Sequence, residues 1–380
     1  MTPDDVKNNL AAYAEEIGLC GLAVAPAQPL TRAAERLKDR VSKGYAGHYG
    51  LTEGSEERFC HPERILPSAK SIICFALSYF RDNDAPAHKP GELIGIAARF
   101  ARGRDYHQVL AEKLALLSAR LKELIPEAET RAIHDTRPLL DRAAAEASGL
   151  GWYGKNACFF VPRFGSWVVL GEIVTNIGLP HDPPILDHRC GSCTICLSAC
   201  PTGAIKTPFE IDLNLCISHL TQMSGIIPRE LRPLMSNKIY GCDICQEVCP
   251  QNKQAEPGRA EDFEPSAMPA ALDLVALLEM DKVEFTRTLS PSAAGWIGRN
   301  RLKRNACIAL GNLRDSSTFT VLRRVMQSDP SDIVRAHAAW ALREIGTSGA
   351  VSALETAAKR ERNALVIAEI GQCFVRKSTE

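Results

Sequence analysis

Two runs of closely spaced cysteines carry the strongest chemical signal in this sequence. The first run is Cys190-Gly-Ser-Cys193-Thr-Ile-Cys196-Leu-Ser-Ala-Cys200-Pro201, and the second is Cys242-Asp-Ile-Cys245-Gln-Glu-Val-Cys249-Pro250. Three closely spaced thiols, a fourth on the next turn and a proline after it are typical of bacterial ferredoxins that hold 4Fe–4S clusters. The second run lacks one member at its start, and Cys216 is the available substitute.

The ligand sets follow from an exchange that two-cluster ferredoxins make. In those proteins the fourth cysteine of each run ligates the other cluster. The first cluster is predicted to use Cys190, Cys193, Cys196 and Cys249, and the second to use Cys200, Cys216, Cys242 and Cys245. A pair of structural zinc sites is the alternative, because paired C-x-x-C motifs also bind zinc. The triple run and the Cys-Pro endings favour clusters.

Composition defines the class of protein in which these cysteines occur. The chain has 380 residues, 45% of them hydrophobic, which supplies more than one buried core and excludes a disordered chain. Basic and acidic residues number 45 each, so the net charge is zero and any nucleic-acid binding needs a local basic surface. The N-terminus lacks signal-peptide features and the longest apolar run, residues 71–80, is too short to span a bilayer. A cytoplasmic protein with reduced thiols is therefore expected. The six cysteines that are not predicted cluster ligands (Cys20, Cys60, Cys74, Cys158, Cys307 and Cys373) are predicted to be buried apolar residues.

The elements before the cysteine runs predict an α/β domain over residues 1–180. Leucines at spacings of three and four mark an amphipathic helix over 109–125, which Pro126 ends. Short runs rich in β-branched residues predict strands over 71–79, 131–134 and 167–174. No G-x-G-x-x-G follows a strand, so a dinucleotide site is not expected, and the residues alone leave the electron acceptor of this domain unidentified.

Two further domains follow. Residues 181–255 form the predicted two-cluster ferredoxin-like domain, and a polar stretch over 251–269 is typical of a linker. Within 256–380 the segment 305–313 aligns with 337–345 at an offset of 32 residues, and a weaker copy covers 364–371. This period predicts HEAT-like helical repeats, which pack on the rest of the protein because so few repeats do not stand alone. The predicted fold class is α+β multidomain.

Several short strings together resemble the epoxyqueuosine reductase family. They are Arg102-Gly-Arg-Asp-Tyr-His107, Asp135-Thr-Arg-Pro138, Gly149-Leu-Gly-Trp-Tyr-Gly-Lys-Asn156, Cys216-Ile-Ser218 and Tyr240-Gly-Cys-Asp-Ile-Cys-Gln-Glu-Val-Cys-Pro250. The matches run from about residue 58 to residue 313 in family order. The resemblance implies reduction of epoxyqueuosine to queuosine at the tRNA wobble position, with cobalamin and two 4Fe–4S clusters, on a catalytic domain similar to that of corrinoid reductive dehalogenases.

The resemblance also implies roles for individual residues. Cob(I)alamin attacks the epoxide-bearing ring, and Asp135 matches the family's proton donor; capping of the following helix is the alternative role for Asp135. The implied cofactor contacts are Arg58, Asp135, Lys155, Asn156, Ser218 and Thr221. A D-x-H-x-x-G cobalamin motif is incomplete at Asp105-Tyr-His107, since Leu110 stands where its glycine belongs, so cobalamin without a histidine ligand on its lower face is expected.

A cluster of basic residues is the predicted contact for tRNA. It consists of Arg299, Arg301, Lys303, Arg304, Arg323 and Arg324. On stacked helices such residues form a stripe for phosphates, whereas a solvated helix face is the alternative. A low-potential ferredoxin or flavodoxin is the expected electron donor and a monomer the expected state. The competing functions are a cytosolic corrinoid reductase of a small molecule and an electron-transfer protein with a helical docking module.

Overall fold

The computed structural model describes residues 1–48, 50–81, 91–135, 138–185, 187–263 and 268–374. The strands are β1 (Leu22–Pro26), β2 (Ser71–Ser78), β3 (Ile94–Ala97), β4 (Thr130–Ile133), β5 (Trp152–Tyr153), β6 (Phe159–Phe160), β7 (Val168–Thr175), β8 (Ile205–Thr207), β9 (Glu210–Ile211), β10 (Lys238–Tyr240) and β11 (Ala271–Asp273). Within those residues, no helix combines the length and the apolar character that crossing a membrane requires.

The helices of the first half are short apart from three. They are α1 (Pro3–Glu16), α2 (Thr31–Ser42), α3 (Ser55–Phe59), α4 (Tyr106–Leu124), α5 (Asp141–Ala147), α6 (Ile195–Ala199), α7 (Ile217–Gln222) and α8 (Ile244–Glu247). The C-terminal part is helical almost throughout. Its helices are α9 (Leu274–Glu279), α10 (Lys282–Thr288), α11 (Gly298–Leu313), α12 (Phe319–Ser328), α13 (Asp332–Ile345), α14 (Ser348–Arg360) and α15 (Ala364–Phe374).

The chain divides into two compact units that interleave in sequence. The first unit contains residues 1–84, 104–216 and 243–264, and the second contains 85–103, 217–242 and 265–380. The α+β multidomain class is confirmed. The predicted boundaries near residues 180 and 255 do not coincide with these units, because the segment between the two cysteine runs belongs to the second unit. The assignment of one function to each of three sequence domains stays a prediction.

The first unit is built on a four-stranded sheet of order β1-β2-β7-β4, in which every neighbouring pair is antiparallel. All eight residues of β2 are buried, as expected for a continuous apolar run in the middle of a sheet. The predicted strands over 71–79, 131–134 and 167–174 correspond to β2, β4 and β7. The helices α1 and α4 contact each other, and α5 packs against the central strands.

Two element ends in this unit bring polar side chains together. Helix α4 begins three residues before its predicted start, because the side chain of Asp105 caps it by accepting the backbone N–H of His107 at 3.0 Å. Strand β4 ends at Ile133, directly before His134 and Asp135. Thr136 and Arg137 of the quoted Asp135-Thr-Arg-Pro138 string lie outside the described residues.

The second unit contains the HEAT-like repeats, and their prediction is confirmed. The aligned segments 305–313 and 337–345 lie in α11 and α13, which contact each other extensively. Gly311 allows this close approach: a Cβ on it would lie 2.5 Å from the ring of Trp340 and 3.0 Å from Cα of Ala341. A small residue at this repeat position is therefore a packing requirement.

The repeats hold the segment 217–242, which connects the two cysteine runs. Asn305, fully buried in α11, donates to the carbonyl oxygens of Thr221 at 2.8 Å and Ile239 at 2.7 Å. Asn312 donates to the carbonyls of Arg232 and Ser236, each at 2.8 Å. The helical repeats therefore act as a scaffold for this connecting segment.

A buried ion pair makes this scaffold sensitive to one substitution. Arg232 is fully buried and donates two hydrogen bonds to Glu369 of α15, at 2.8 and 3.0 Å, and Arg229 also pairs with Glu369. Removing one partner of a buried pair leaves an uncompensated charge, so Glu369→Ala is expected to cost about 3–5 kcal/mol of stability. Urea unfolding followed by circular dichroism tests this expectation. Glu369→Gln is the matched control with a smaller loss, and an unchanged midpoint in Glu369→Ala would contradict the expectation.

Candidate active site and cluster-binding site

Four cysteines line one pocket of the first unit. Cys190 and Cys193 lie on the loop before α6, Cys196 lies on α6, and Cys249 lies just after α8. These four are the set predicted for the first cluster by the exchange between the two runs. Phe160 and Pro250 supply apolar surface to the same pocket. The pocket offers a thiol-rich, largely apolar environment of the kind that an iron–sulfur cluster occupies.

The cysteines predicted for the second cluster are distributed differently. Cys200, Cys216 and Cys245 lie in the first unit, whereas Cys242 ends the middle segment of the second unit. The ligand set for this cluster stays a prediction. The six cysteines that are not predicted cluster ligands follow their predicted role in most cases, since Cys60, Cys74, Cys307 and Cys373 are buried, whereas Cys20 and Cys158 are partly exposed.

Lys155 and Asn156 anchor the cysteine loops. The Nζ of Lys155 donates to the carbonyl oxygens of Gly191 at 2.6 Å and Cys193 at 3.0 Å. Asn156 is buried and donates from Nδ2 to the carbonyl of Cys245 at 3.2 Å. Both residues were predicted as cobalamin contacts, and the structure places their polar groups on the backbone of the two cysteine runs.

A second set of buried polar side chains, which sequence reasoning missed, fixes the second run. Gln246 donates to the hydroxyl oxygen of Ser166 at 3.1 Å and to the hydroxyl oxygen of Tyr79 at 3.2 Å. Asn252 accepts the backbone N–H of Ser166 at 2.8 Å and donates to its hydroxyl at 2.9 Å. Their proximity to Cys245 and Cys249 in sequence was the available signal. This network positions the loop that carries Cys249.

Asp135 lies in a cluster of groups that can hold or move a proton. Its carboxylate oxygen Oδ2 accepts a hydrogen bond from the hydroxyl of Tyr106 and lies 3.6 Å from Nε2 of His107. Nδ1 of His107 in turn lies 2.7 Å from the carboxylate of Asp105. The backbone of Asp135 has φ of 39°, in the left-handed region that few residues other than glycine adopt. A held, unfavourable backbone conformation of this kind is common at functional sites.

The pKa values of the two histidines in this cluster are shifted in opposite directions. Burial disfavours the charged form of His107, but the hydrogen bond to Asp105 and the charges of Asp105 and Asp135 outweigh it and raise the pKa of His107. Burial and the neighbouring His107 lower the pKa of His134, whose ring centroid is 6.1 Å away. The site therefore favours the charged form of His107, which lies next to Asp135, and the neutral form of His134.

The remaining predicted cofactor contacts do not share this cluster. Arg58 is exposed in the first unit, with its guanidinium 5.2 Å from the ring centroid of Phe59. Thr221 is fully buried in the second unit, where its hydroxyl donates to the carbonyl of Ser218 and accepts the N–H of Gly241. The hydroxyl of Thr221 is thus used within its own unit, and a cofactor role for Ser218 stays a prediction.

The structure does not present all six predicted tRNA-contact residues to solvent. Arg304 is fully buried and donates to the backbone carbonyls of Leu220, Thr221, Met223 and Gly225. Lys303 is buried beside Asp329, with 3.5 Å between Nζ and Oδ2. The prediction of a surface role is wrong for these two residues, because their side chains satisfy groups inside the second unit. Arg299 and Arg301 are partly exposed, and Arg323 and Arg324 are exposed on α12.

The fold and the cysteine pocket define an oxidoreductase with a two-cluster ferredoxin-like module. A family model described as a 4Fe-4S double cluster binding domain matches residues 189–252. A model for epoxyqueuosine reductase QueG matches residues 60–136, and one for HEAT repeats matches residues 298–373.

Curated relatives match along nearly the whole chain. Epoxyqueuosine reductase of Bacillus cereus is 39% identical over 98% of this chain and 97% of its own length. The Escherichia coli enzyme of the same name is 35% identical over 82% of this chain and 83% of its own length. The chain belongs to the epoxyqueuosine reductase family.

Solved structures agree with this assignment. A crystal structure of epoxyqueuosine reductase with a tRNA-Tyr epoxyqueuosine-modified stem loop has a TM-score of 0.92 and 38% identity, and covers 98% of both chains. A structure of the Bacillus subtilis enzyme, described with its catalytic aspartate loop swung out of the active site, has a TM-score of 0.91 and 37% identity. It covers 98% of this chain and 99% of that chain.

Proposed function

We propose that this chain reduces epoxyqueuosine to queuosine at the wobble position of tRNA. The observation that carries the proposal is the match along nearly the whole chain to epoxyqueuosine reductases, one of them solved with an epoxyqueuosine-modified stem loop. Loss of the epoxide oxygen as water leaves an alkene and consumes two electrons and two protons. Two 4Fe–4S clusters suit this demand, since they relay electrons singly from a low-potential ferredoxin or flavodoxin. The chain acts as a monomer.

Asp135 is the proton donor in this proposal. An alkoxide is a poor leaving group, so the departing oxygen must be protonated as its bond to carbon breaks. The Asp135 side chain is about half exposed, which leaves it accessible to a substrate, and Tyr106 fixes the position of Oδ2. The catalytic aspartate loop described for the Bacillus subtilis relative supports an aspartate in this role.

His107 is placed to return a proton to Asp135 after each turnover. Its raised pKa favours the imidazolium, and Nε2 is 3.6 Å from Oδ2 of Asp135. Asp105 orients the ring by binding Nδ1, which leaves Nε2 directed toward Asp135. The three residues together form a relay from the first turn of α4 to the end of β4.

Cobalamin is the cofactor that family membership implies, and one feature of the site fits such a ligand. The buried Nδ1 of His134 has no hydrogen-bond partner among the described residues, and the amide groups around a corrin ring can satisfy it. Asp135 and the exposed Arg58 would contact the same ligand from the first unit. When bound, cobalamin supplies a low-potential cobalt centre through which the electrons of the clusters reach the substrate.

The direct test is conversion of an epoxyqueuosine-containing tRNA stem loop by the anaerobically purified protein with cobalamin and a low-potential reductant. Mass spectrometry of the released nucleosides should show queuosine in place of epoxyqueuosine. Conversion that requires the reductant supports the proposal. Failure to convert with both cofactors bound would overturn it.

Metal content separates this function from its competitors. The reductase should contain about eight irons and one cobalt per chain. Eight irons without cobalt would favour an electron-transfer protein. Cobalt with no turnover of the stem loop would favour a corrinoid reductase of a small molecule.

The second unit offers a surface that suits an unpaired RNA base. Trp296 is 57% exposed, although its ring N–H is satisfied by the hydroxyl of Tyr240 at 2.9 Å. The guanidinium of Arg301 lies 5.6 Å from its ring centroid. A rigid exposed indole beside an arginine is suited to base stacking and phosphate binding, and we propose that Trp296, Arg299 and Arg301 contact the tRNA.

Substitutions on this surface should weaken tRNA binding without unfolding the protein. We expect Trp296→Ala to raise the dissociation constant of the stem loop about tenfold, which corresponds to the loss of one stacked base. Arg301→Ala should weaken binding. It should also reduce, by about one, the magnitude of the slope of the logarithm of the association constant against the logarithm of the salt concentration. Fluorescence anisotropy at several salt concentrations measures both. Arg314→Ala, which removes an exposed pair with Glu344, is the control. Wild-type affinity in both test variants would exclude this surface.

A further inference from the structure

Two adjacent side chains in the turn between β5 and β6 contact different cysteine runs. Lys155 and Asn156 both line the pocket that the four cysteines of the predicted first cluster share. The Nζ of Lys155 donates to two carbonyl oxygens of the first run, at 2.6 Å to Gly191 and 3.0 Å to Cys193. Nδ2 of Asn156 donates to the carbonyl of Cys245, in the second run, at 3.2 Å. A cation therefore contacts the first run and a neutral amide contacts the second.

The backbone around Lys155 is held in place as well as its ammonium group. Its carbonyl oxygen accepts the N–H of Phe209, in the turn between β8 and β9, at 3.0 Å. The preceding residue must be glycine, since a Cβ on Gly154 would lie 2.3 Å from the ring of Phe160 and 2.8 Å from Oδ1 of Asn156. Because both ends of Lys155 are bound, its charge has a fixed position beside the cysteines.

The charge of Lys155 is not neutralised by a carboxylate. Its two printed acceptors are neutral carbonyl oxygens, and no acidic side chain of the described residues lies within ion-pair distance of Nζ. Asp187, which precedes the first run, accepts the backbone N–H of Arg189 at 2.9 Å instead. A partly buried ammonium without a counter-ion favours an anion close to it. The pocket beside Lys155 supplies one when its four thiolates hold a cluster.

A fixed cation affects the two oxidation states of such a cluster unequally. One-electron reduction adds one negative charge to the irons, sulfides and thiolates together, so a nearby cation stabilises the reduced state more than the oxidised state. The reduction potentials of iron–sulfur clusters respond to their electrostatic surroundings in this way. The electron comes from the ferredoxin or flavodoxin donor, which loses one electron as the cluster gains it.

We propose that the charge of Lys155 raises the reduction potential of the cluster predicted for Cys190, Cys193, Cys196 and Cys249. Asn156 brings no such charge to the second run, so the two adjacent residues favour retention of an electron at the first cluster. The inference rests on the two-cluster chemistry of the proposed function, but reduction potentials are measured without substrate.

A redox titration of the anaerobically purified holoenzyme tests this role. Electron paramagnetic resonance of the reduced clusters gives the midpoint potential of each. Lys155→Gln keeps an amide donor for the loop and removes the charge, so it should disfavour reduction of one cluster about tenfold. This change corresponds to a midpoint potential lower by about 59 mV for a one-electron couple. The affected signal should be the one that Cys249→Ser removes.

Two further variants separate charge from position. Lys155→Arg keeps the charge and should retain the wild-type potentials. Lys122→Gln removes the same charge from the exposed C-terminal end of α4, outside the pocket, and should leave both potentials unchanged. Equal shifts in Lys155→Gln and Lys155→Arg would overturn the proposal, since they would assign the effect to the position of the loop.

Unchanged potentials in Lys155→Gln would also overturn the proposal. If that variant does not retain the first cluster, Ser192→Asp replaces it. Ser192 is exposed and directly follows Gly191, whose carbonyl binds Nζ, so a carboxylate there opposes the charge and leaves Lys155 intact. Ser192→Asp should lower the same midpoint potential, and an unchanged value would contradict the role of Lys155.

The outcome is independent of turnover. A lowered potential in Lys155→Gln, together with a wild-type protein that does not convert the stem loop, would leave the role of Lys155 in place and remove the proposed function. Conversion of the stem loop by the wild type, with unchanged potentials in Lys155→Gln, would do the reverse.

Discussion

We expect the Asp135→Asn enzyme to fold, to hold both clusters and to reduce epoxyqueuosine about 10²- to 10⁴-fold more slowly than the wild type, the range that general acids contribute. The amide keeps the size of the side chain and can still accept the hydrogen bond from Tyr106. It cannot give up a proton to the departing oxygen. Single-turnover conversion of the modified stem loop isolates this step from tRNA release.

The comparison needs a carboxylate nearby that takes no part in the chemistry. Glu112 lies on the exposed side of α4, where it pairs with Arg104, and Glu112→Gln should retain wild-type rates. Binding of the stem loop and the electron paramagnetic resonance of the clusters should be unchanged in both variants. An Asp135→Asn enzyme that converts substrate at the wild-type rate would remove Asp135 from the mechanism.

Sequence patterns predicted those parts of the site that depend on local spacing. The gaps between cysteines led to the pairing of Cys249 with the first run, and the structure places it in the same pocket as Cys190, Cys193 and Cys196. The strand predicted over 131–134 placed Asp135 just after a strand end, and β4 does end at Ile133, at the edge of the sheet.

Long-range burial was the part that the sequence could not reveal. Lys303 and Arg304 belong to a basic run that is typical of a solvated helix face, yet α11 is buried over most of its length because the segment 217–242 covers it. Glu172 lies in the apolar strand β7 and is fully buried there, which its residue type does not predict. Neither arrangement leaves a periodic signal, since each depends on which surfaces meet.

The basic run also contains a buried arginine that holds an irregular segment of backbone in place. Arg304 satisfies four backbone carbonyls of the segment that separates Cys216 from Cys242. A guanidinium presents five donors in a fixed plane, so one buried arginine can replace a short stretch of secondary structure. The irregular segment between the cysteine runs is thereby held without a strand or a helix of its own along most of its length.

The assignment of Cys249 to the first cluster leads to a second prediction, which a measurement of iron content tests. Replacing Cys249 with Ser should reduce the iron from about eight to about four atoms per chain, because one of four thiolate ligands is lost from a single cluster. Electron transfer to the active site should fail, and turnover should be lost because it depends on these electrons. Cys60→Ala, in the apolar core of the first unit, is the control that keeps all the iron.

Double variants separate the exchanged ligand sets from local ones. If Cys249 belongs with the first run, Cys193→Ser combined with Cys249→Ser damages one cluster, and the double variant should keep about four irons. Cys200→Ser combined with Cys249→Ser damages both clusters and should keep almost none. The alternative is local ligand sets, in which each run binds its own cluster. Cys193 and Cys200 would then ligate the same cluster, and the double variant Cys193→Ser with Cys200→Ser would keep about four irons. Since the exchanged sets predict loss of both clusters for Cys193→Ser with Cys200→Ser, the iron content of that variant decides between the two arrangements.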